Sequence, residues 1–367
     1  MEPEVLEAMQ GAASSYVRIA DLQESASKVI AAMTGAEAGV VTSGASAALT
    51  LAMAACIAGL DPELMNRLPD TRGLRNQVIV PRLHRNDYDH ALRAAGARII
   101  EIGFIHSTFT YELENTINDK TAAIFFLASQ CSGSLPLEVV TETAHRHQIP
   151  VIVDAAAELP PPNNLKNFIS QGADLVAFSG GKHLHGPQSS GFLCGKKDLI
   201  LSASLQLQDM DVSPKTWVYR DLIEQGRLAG PPHHGIGRGF KVGKEEIVGL
   251  LTALQIYPNR DFERELNTWA LRIREIVDGL DAVKGVKASY IFPTETGRPV
   301  PAAHIWIDRA ATGLSAEDVI NQLEAGDPII AAYENMAYRD FIVIFPEALR
   351  DGDPGVIVRR ISEILGW

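Results

Sequence analysis

The stretch Gly172-Ala173-Asp174-Leu175-Val176-Ala177-Phe178-Ser179-Gly180-Gly181-Lys182-His183 decides how this chain is read. Its apolar half predicts a buried strand over Leu175–Ser179, and the glycine pair predicts a tight turn that presents a lysine. Upstream, Pro150-Val151-Ile152-Val153-Asp154 is a second buried strand, ending in a carboxylate. Further upstream, Val40-Val41-Thr42-Ser43-Gly44-Ala45-Ser46 is a strand running into a small-residue turn that opens a helix. A helix start of this kind offers unpaired N–H groups and a favourable dipole to an anion.

A phosphate cradle, a carboxylate and a turn-borne lysine, in that order, are the fixed points that hold pyridoxal 5'-phosphate (PLP). Lys182 would carry the cofactor. Its amine must be neutral to attack, which requires desolvation or a neighbouring cation. Gly180 and Gly181 would let the backbone pass close to the cofactor. The competing reading is a surface lysine in a loop. Asp154 would pair with the protonated pyridine nitrogen and keep the ring an electron sink. Its competing reading is a helix N-cap, because Ala155-Ala156-Ala157 follow. Ser43, Gly44, Ala45 and Ser46 would hold the phosphate, with Ser179 adding a hydroxyl.

Four further candidates stand at strand ends or in glycine-rich segments. His84, in Pro81-Arg82-Leu83-His84-Arg85, could stack on the pyridine ring, or be a loop histidine. Gln130 could contact the ring oxygen, or be a turn residue. Arg238, in Gly235-Ile236-Gly237-Arg238-Gly239-Phe240-Lys241, suits a substrate carboxylate because a guanidinium binds it with two parallel hydrogen bonds. Lys241 is the weaker partner for the same role, and a mobile loop with solvated charges is the alternative for both. His233 and His234 lack a third ligand at supporting spacing, so no metal site is expected.

Around these points the chain alternates strands and helices. Strands are expected at 39–42, 77–81, 98–102, 122–127, 151–154, 175–179 and 191–194. Helices are expected at 21–33, 45–58, 88–95 and 139–147. Near-continuous apolar strands alternating with helices predict a mostly parallel sheet covered on both faces. Beyond Val242 the pattern changes to helices at 244–256, 262–279, 316–324 and 354–365, with strands at 286–291, 303–307, 328–333 and 341–345. The expectation is an α/β large domain over residues 1–260 and a smaller α+β domain over 261–367.

Composition limits the function. The net charge is −12, from 33 basic and 45 acidic residues, which argues against a nucleic-acid partner. No apolar run is long enough to span a bilayer. The start, Met1-Glu2-Pro3-Glu4-Val5, lacks the pattern of a signal peptide. Cys56, Cys131 and Cys194 have no metal-type spacing and read as reduced thiols, so a cytoplasmic enzyme is expected.

Together the segments Thr34–Ala45, Asp154-Ala155-Ala156 with Leu159-Pro160-Pro161, Ser179–Lys182 with Gly186–Gly191, and Gly237-Arg238 through Lys241–Glu246 resemble the fold-type I PLP enzymes. Within them the chain resembles the group related to bacterial selenocysteine synthase (L-seryl-tRNA(Sec) selenium transferase). The resemblance implies an aspartate aminotransferase-like large domain, Lys182 as the Schiff-base lysine and Asp154 as the partner of the ring nitrogen. It also implies at least a homodimer. Selenocysteine synthases carry an extra N-terminal tRNA domain, whereas here the core helix begins near Asp21. The small-molecule members, such as D-glucosaminate-6-phosphate ammonia-lyase, are therefore the better match. The expected reaction is α-proton abstraction and β-elimination on a small 2-amino, 3-hydroxy acid or amino-sugar acid. Aldolase, racemase and aminotransferase chemistry remain open, with selenium transfer on seryl-tRNA less favoured. A cysteine desulfurase is rejected because no cysteine follows Cys194.

Overall fold

The computed structural model describes residues 1–129 and 133–367. The chain divides into two compact units, Met1–Arg260 and Asp261–Trp367. The first is built on a seven-stranded sheet: β1 (Ala38–Thr42), β2 (Gln77–Pro81), β3 (Arg98–Ile102), β4 (Thr121–Leu127), β5 (Val151–Asp154), β6 (Leu175–Ser179) and β7 (Gly191–Gly195). Their order across the sheet is β1-β7-β6-β5-β4-β2-β3. The pairs β6–β5, β5–β4, β4–β2 and β2–β3 are parallel, and β7 runs antiparallel to both β6 and β1.

This topology gathers the expected site along one edge. Strands β2 to β6 all end there, and β7 begins there. In register, Gly191 of β7 lies between Thr42 and Ser179, while Asp154 of β5 faces Ala177 of β6 and Leu127 of β4. The chain moves outward from β2 to β3, then returns on the other side of β2 with β4, β5 and β6. The crevice beyond the strand ends at such a reversal is where ligands bind in open α/β sheets.

Helix α1 (Pro3–Ala13) and helix α2 (Ile19–Thr34) precede the sheet. α2 covers the outer edge of β1 with side chains that imitate a neighbouring strand. Gln23 Nε2 donates to the Val41 carbonyl at 2.8 Å, and the Val41 N–H donates to Gln23 Oε1 at 2.9 Å. The Gly39 N–H donates to Ser27 Oγ at 3.0 Å. Helix α3 (Ala45–Ala58) is apolar on every side and is buried from Ala47 to Ala58 except at Cys56, as a helix inside a core must be. It forms the centre of the apolar core with Val78, Val80, Phe125, Ile152, Leu175 and Leu193 of the sheet.

Nearly all expected strands are present, and most ends agree within a residue. The helix expected at 88–95 is instead a 3-10 turn, Asp87–Asp89, followed by a short helix, His90–Ala94. Asn86 caps that turn by accepting the Tyr88 N–H at 2.8 Å. Helices Pro3–Ala13 and Lys197–Gln206 were not expected.

The second unit has a three-stranded antiparallel sheet, β8 (Val286–Ile291), β9 (Ala302–Ile307) and β10 (Phe341–Ile344), in the order β10-β9-β8. The helices Phe262–Leu280, Ala316–Glu324 and Asp353–Ile364 supply Ile273, Ile276, Leu323, Ile357 and Ile361 to its core. The strand expected at 328–333 does not form. Only Tyr333 pairs, in an isolated bridge with Val343. Pro328 has no N–H for a ladder, and Ile329 stands 75% exposed, so nothing is gained by extending it.

Candidate active site

The anion cradle is the most direct outcome of local sequence. Gly44 is the N-cap of α3, at φ +141°, a conformation that a side chain would strain. Having no side chain, it caps none of the first N–H groups of the helix, which stay available to an anion. Thr42 Oγ1 donates to the Gly44 carbonyl at 2.8 Å and fixes the turn. Gly191 explains how closely β7 approaches. A Cβ there would lie 2.6 Å from Gly44 C, 2.7 Å from the Phe178 carbonyl oxygen and 2.8 Å from Ala45 N. The hydroxyls of Ser43, Ser46 and Ser179 make no hydrogen bond among the described residues. Ser179 and Thr42 are two strand spacings apart, about 10 Å.

Asp154 ends β5 with its backbone held on both sides. Its carbonyl accepts the Ala128 N–H at 3.0 Å, and the next residue, Ala155, donates to the Ala177 carbonyl at 3.0 Å. The side chain is 5% exposed. Burial raises its pKa, partly offset by the Ala156 N–H donated to Oδ1 at 3.0 Å and by the positive charge of Lys182. Oδ2 accepts no hydrogen bond from the described residues. No helix follows, since the next one is Asn164–Ser170. The N-cap reading of Asp154 is therefore wrong, and its Oδ1 contact is a local turn.

Lys182 lies in the loop joining β6 to β7, three residues beyond Ser179. It is exposed, although β6 is buried up to Phe178. The glycine pair also acts differently from the expectation. A Cβ on Gly181 would lie 2.6 Å from the Gln188 carbonyl oxygen, and one on Gly180 would collide with Ser190 and Leu250. Gly181 lets the loop fold on itself, and Gly180 admits both Ser190 of the loop and Leu250 of the helix Lys244–Ile256.

His84 corrects the stacking expectation. It closes the 3-10 turn Arg82–His84 after β2 and is 0% exposed. Its ring meets Phe126 edge-on at 4.6 Å. The Leu127 N–H donates to Nδ1 at 3.3 Å, which places the proton on Nε2, 2.5 Å from Ser134 Oγ. Burial lowers its pKa to about 4. A buried, neutral ring engaged at both nitrogens joins β2 to the end of β4, and it offers no face to a cofactor. Ser134, fifty residues away, was not singled out because nothing local marks it. Gln130 lies outside the described residues.

Arg238 and Lys241 lie in and directly after one short segment beyond β7. Arg238 is exposed in the 3-10 segment Ile236–Phe240, which packs through Gly237 against Gln206 and Leu51. Lys241 pairs with Asp209 at 2.9 Å and lines a cavity of about 480 Å³ beside β1, with Val40, Trp217 and Tyr219. Neither makes a hydrogen bond or ion pair with Ser43, Asp154, Ser179 or Lys182 among the described residues. No group of His, Cys, Asp and Glu suited to a metal occurs among the described residues.

The donor set fits PLP. Unpaired N–H groups and hydroxyls suit its phosphate, and a buried carboxylate with an open oxygen suits a ring N–H. The chain matches the model of the Cys/Met metabolism PLP-dependent enzymes over residues 4–211, more than half its length. It belongs to that family. It is 32% identical to the D-glucosaminate-6-phosphate ammonia lyase of Salmonella typhimurium, over 99% of this chain and 90% of that protein. It is 29% identical to a 5'-C-glycyluridine monooxygenase-decarboxylase of a Streptomyces species, over 98% of this chain and 85% of that one. A solved structure of D-glucosaminate-6-phosphate ammonia-lyase superimposes with a TM-score of 0.79 at 31% identity, covering 100% of this chain and 91% of that one. The L-seryl-tRNA(Sec) selenium transferase of Mannheimia succiniciproducens is 28% identical, but over only 41% of this chain and 37% of its own length. The expected kinship is borne out, the fold is that of the fold-type I PLP enzymes, and the cofactor is PLP.

Proposed function

We propose that this enzyme is a lyase acting on a small 2-amino acid bearing a β-hydroxyl, or on an amino-sugar acid, and that it releases ammonia and a 2-oxo acid. The observation that carries the reading is Asp154, a buried carboxylate with an open oxygen at the sheet edge, electrostatically coupled to the turn-borne Lys182. When bound, PLP withdraws electrons from the substrate's α-carbon. Asp154 holds a proton at the ring nitrogen. The α3 N-terminus, Ser43, Gly44, Ala45, Ser46 and Ser179 bind the phosphate. Lys182 carries the cofactor between turnovers and takes the α-proton as general base. The β-substituent then leaves with its bonding electrons. Water lost in that elimination is regained when ammonia is released, so the net change for a β-hydroxy acid is loss of ammonia.

The near-full-length likeness to an ammonia lyase supports elimination over aldol cleavage, racemisation or transamination. The likeness to a monooxygenase-decarboxylase supports a second reading, oxidative loss of the carboxylate. A panel of D- and L-amino acids and amino-sugar acids, including D-glucosaminate 6-phosphate, separates the two. Ammonia and 2-oxo acid in equal amounts without oxygen uptake is the expected result. Oxygen consumption with carbon dioxide release would replace elimination by the second reading.

The assembly and location belong to the same proposal. Lys182 is exposed in the single chain, and an amine that must be neutral needs cover, which a second copy would supply. Phe104, Ile105, Phe109 and Tyr111, beyond the end of β3, are each more than half exposed and suit an interface. A homodimer or larger homo-oligomer in the cytoplasm is the form we expect, acting on small molecules without nucleic acid. No helix among the described residues is long and apolar enough to cross a membrane. Sedimentation of the holoenzyme as a monomer would remove the shared-site part of this reading.

A further inference from the structure

The turn that presents Lys182 is held from behind. Lys182 is exposed and its neighbour His183 is 5% exposed, so the two side chains leave the turn in different directions. His183 Nδ1 lies 3.1 Å from the Tyr257 hydroxyl, and the two rings meet edge-on at 5.7 Å and 89°. Tyr257 is 0% exposed and begins the 3-10 turn Tyr257–Asn259 at the end of the helix Lys244–Ile256. Arg260, just beyond, donates Nη1 to the His183 carbonyl at 2.9 Å and sits 5.5 Å from the Tyr257 ring centroid.

The rest of the loop closes on itself. The Gly180 N–H donates to the Ser190 carbonyl at 2.9 Å, the Gly186 N–H to the Gly180 carbonyl at 2.9 Å, and the His185 N–H to the Lys182 carbonyl at 3.0 Å. These bonds fix the loop's internal shape. The contacts of His183 fix where that shape stands relative to the rest of the unit.

We propose that His183, Tyr257 and Arg260 are positioning residues for Lys182, a role that rests on the reading of Lys182 as the cofactor-bearing lysine. A lysine side chain has four carbons and wide rotamer freedom, so its amine is placed only as well as its backbone is held. Two polar contacts and a fully buried ring anchor the residue directly after it. The gain from a placed amine is that of an intramolecular reaction, lost when the amine samples other positions.

The test separates placement of the lysine from integrity of the site. Covalent attachment of PLP to the apo protein is followed by stopped-flow growth of its visible band. Affinity for pyridoxamine 5'-phosphate is measured in parallel, because that compound has an amine in place of the aldehyde and cannot link to a lysine. Tyr257→Phe keeps the ring, its edge contact and the Arg260 contact, and removes one hydroxyl. It is expected to slow attachment about tenfold, equivalent to about 1.4 kcal/mol, with pyridoxamine 5'-phosphate affinity unchanged within about twofold. His183→Ala should slow it at least as much, and the double variant should be no slower than the slower single one, since both remove the same contact. Wild-type attachment rates in both variants would overturn the proposal. So would a fall in pyridoxamine 5'-phosphate affinity that matches the fall in rate, because the residues would then shape the whole pocket. Borohydride reduction of the wild-type holoenzyme distinguishes the underlying reading: label on another lysine takes both down, whereas label on Lys182 with unaffected variants takes down the positioning role alone.

Discussion

Replacing Gly191 by alanine tests the joint between β7, β6 and the α3 N-terminus with a single carbon atom. The added Cβ would stand 2.6 Å from Gly44 C, 2.7 Å from the Phe178 carbonyl oxygen and 2.8 Å from Ala45 N. All three are backbone atoms, so no rotamer change relieves the contact. Normal carbon contacts begin nearer 3.5 Å, and the strands must part from the helix start by several tenths of an ångström. Overpacking of this kind costs about 2–3 kcal/mol. At about 2–4 °C per kcal/mol for a unit of this size, the melting temperature should fall by roughly 5–10 °C. The same movement displaces Gly44 and the N–H groups behind it, so PLP affinity should fall by about tenfold or more. Gly11→Ala is the matched control. A Cβ at Gly11 meets nothing within 4 Å, and the residue lies inside α1. That variant should gain about 0.5–1 kcal/mol and leave PLP affinity unchanged. Differential scanning calorimetry of the apo protein and equilibrium PLP titration read both quantities. Gly191→Ala melting with wild type and binding PLP normally would show that β7 does not brace the cradle.

Other outcomes follow from the titrating and charged groups. His84 is held down to about 4 from its ordinary 6.5, so the stability it contributes is complete above pH 6.5 and is lost as pH falls toward 4, by roughly 3 kcal/mol. The urea midpoint of wild type should therefore fall more steeply than that of His84→Gln between pH 6.5 and 4.5; parallel curves refute the buried neutral imidazole. Asp154 is raised from its ordinary 3.8, so the folded apo protein holds that proton more tightly, and stability is lost as pH rises through the raised value. Asp154→Asn should abolish this loss in the apo protein and lower kcat of the holoenzyme by about 10²–10³; near-normal turnover would reduce Asp154 to a turn residue. Arg238→Lys tests the expected carboxylate contact: a strong rise in KM with the absorbance of the bound cofactor intact would support it, because an ammonium lacks the planar fork, and an unchanged KM would remove it. Loss of the cofactor band instead would assign Arg238 to the phosphate.

The strands were legible because every strand of the large sheet except β3 is a nearly unbroken buried run. Val151–Asp154 and Leu175–Ser179 are bounded as their hydropathy dictates. The run 328–333 is just as apolar, but it has no cover, and hydropathy alone does not show cover. Asp154 and the Ser43–Ser46 turn were legible because one ends a strand and the other directly follows one. The setting of His84 was not, since its partners are Leu127 and Ser134, which only the sheet brings near. Tyr257 and Arg260 were hidden for the same reason, being more than seventy residues from His183. Gly180 and Gly181 do mark a close approach, but the partners are the loop itself and Leu250.

The two borders of the large sheet are closed by different means. At β1, the amide of Gln23 fills the donor and acceptor of Val41, so an incoming strand would find that rung already taken. At β3, Arg98 and Glu101 stand exposed along the other border, where a charged pair makes an invading strand unwelcome. Both borders of the large sheet therefore discourage a second copy from extending it. Gln23→Leu would free the Val41 rung while leaving the Ser27 bond to Gly39 in place. The β1 border is thus closed by Gln23 and Ser27, two side chains of α2 placed away from the cofactor cradle.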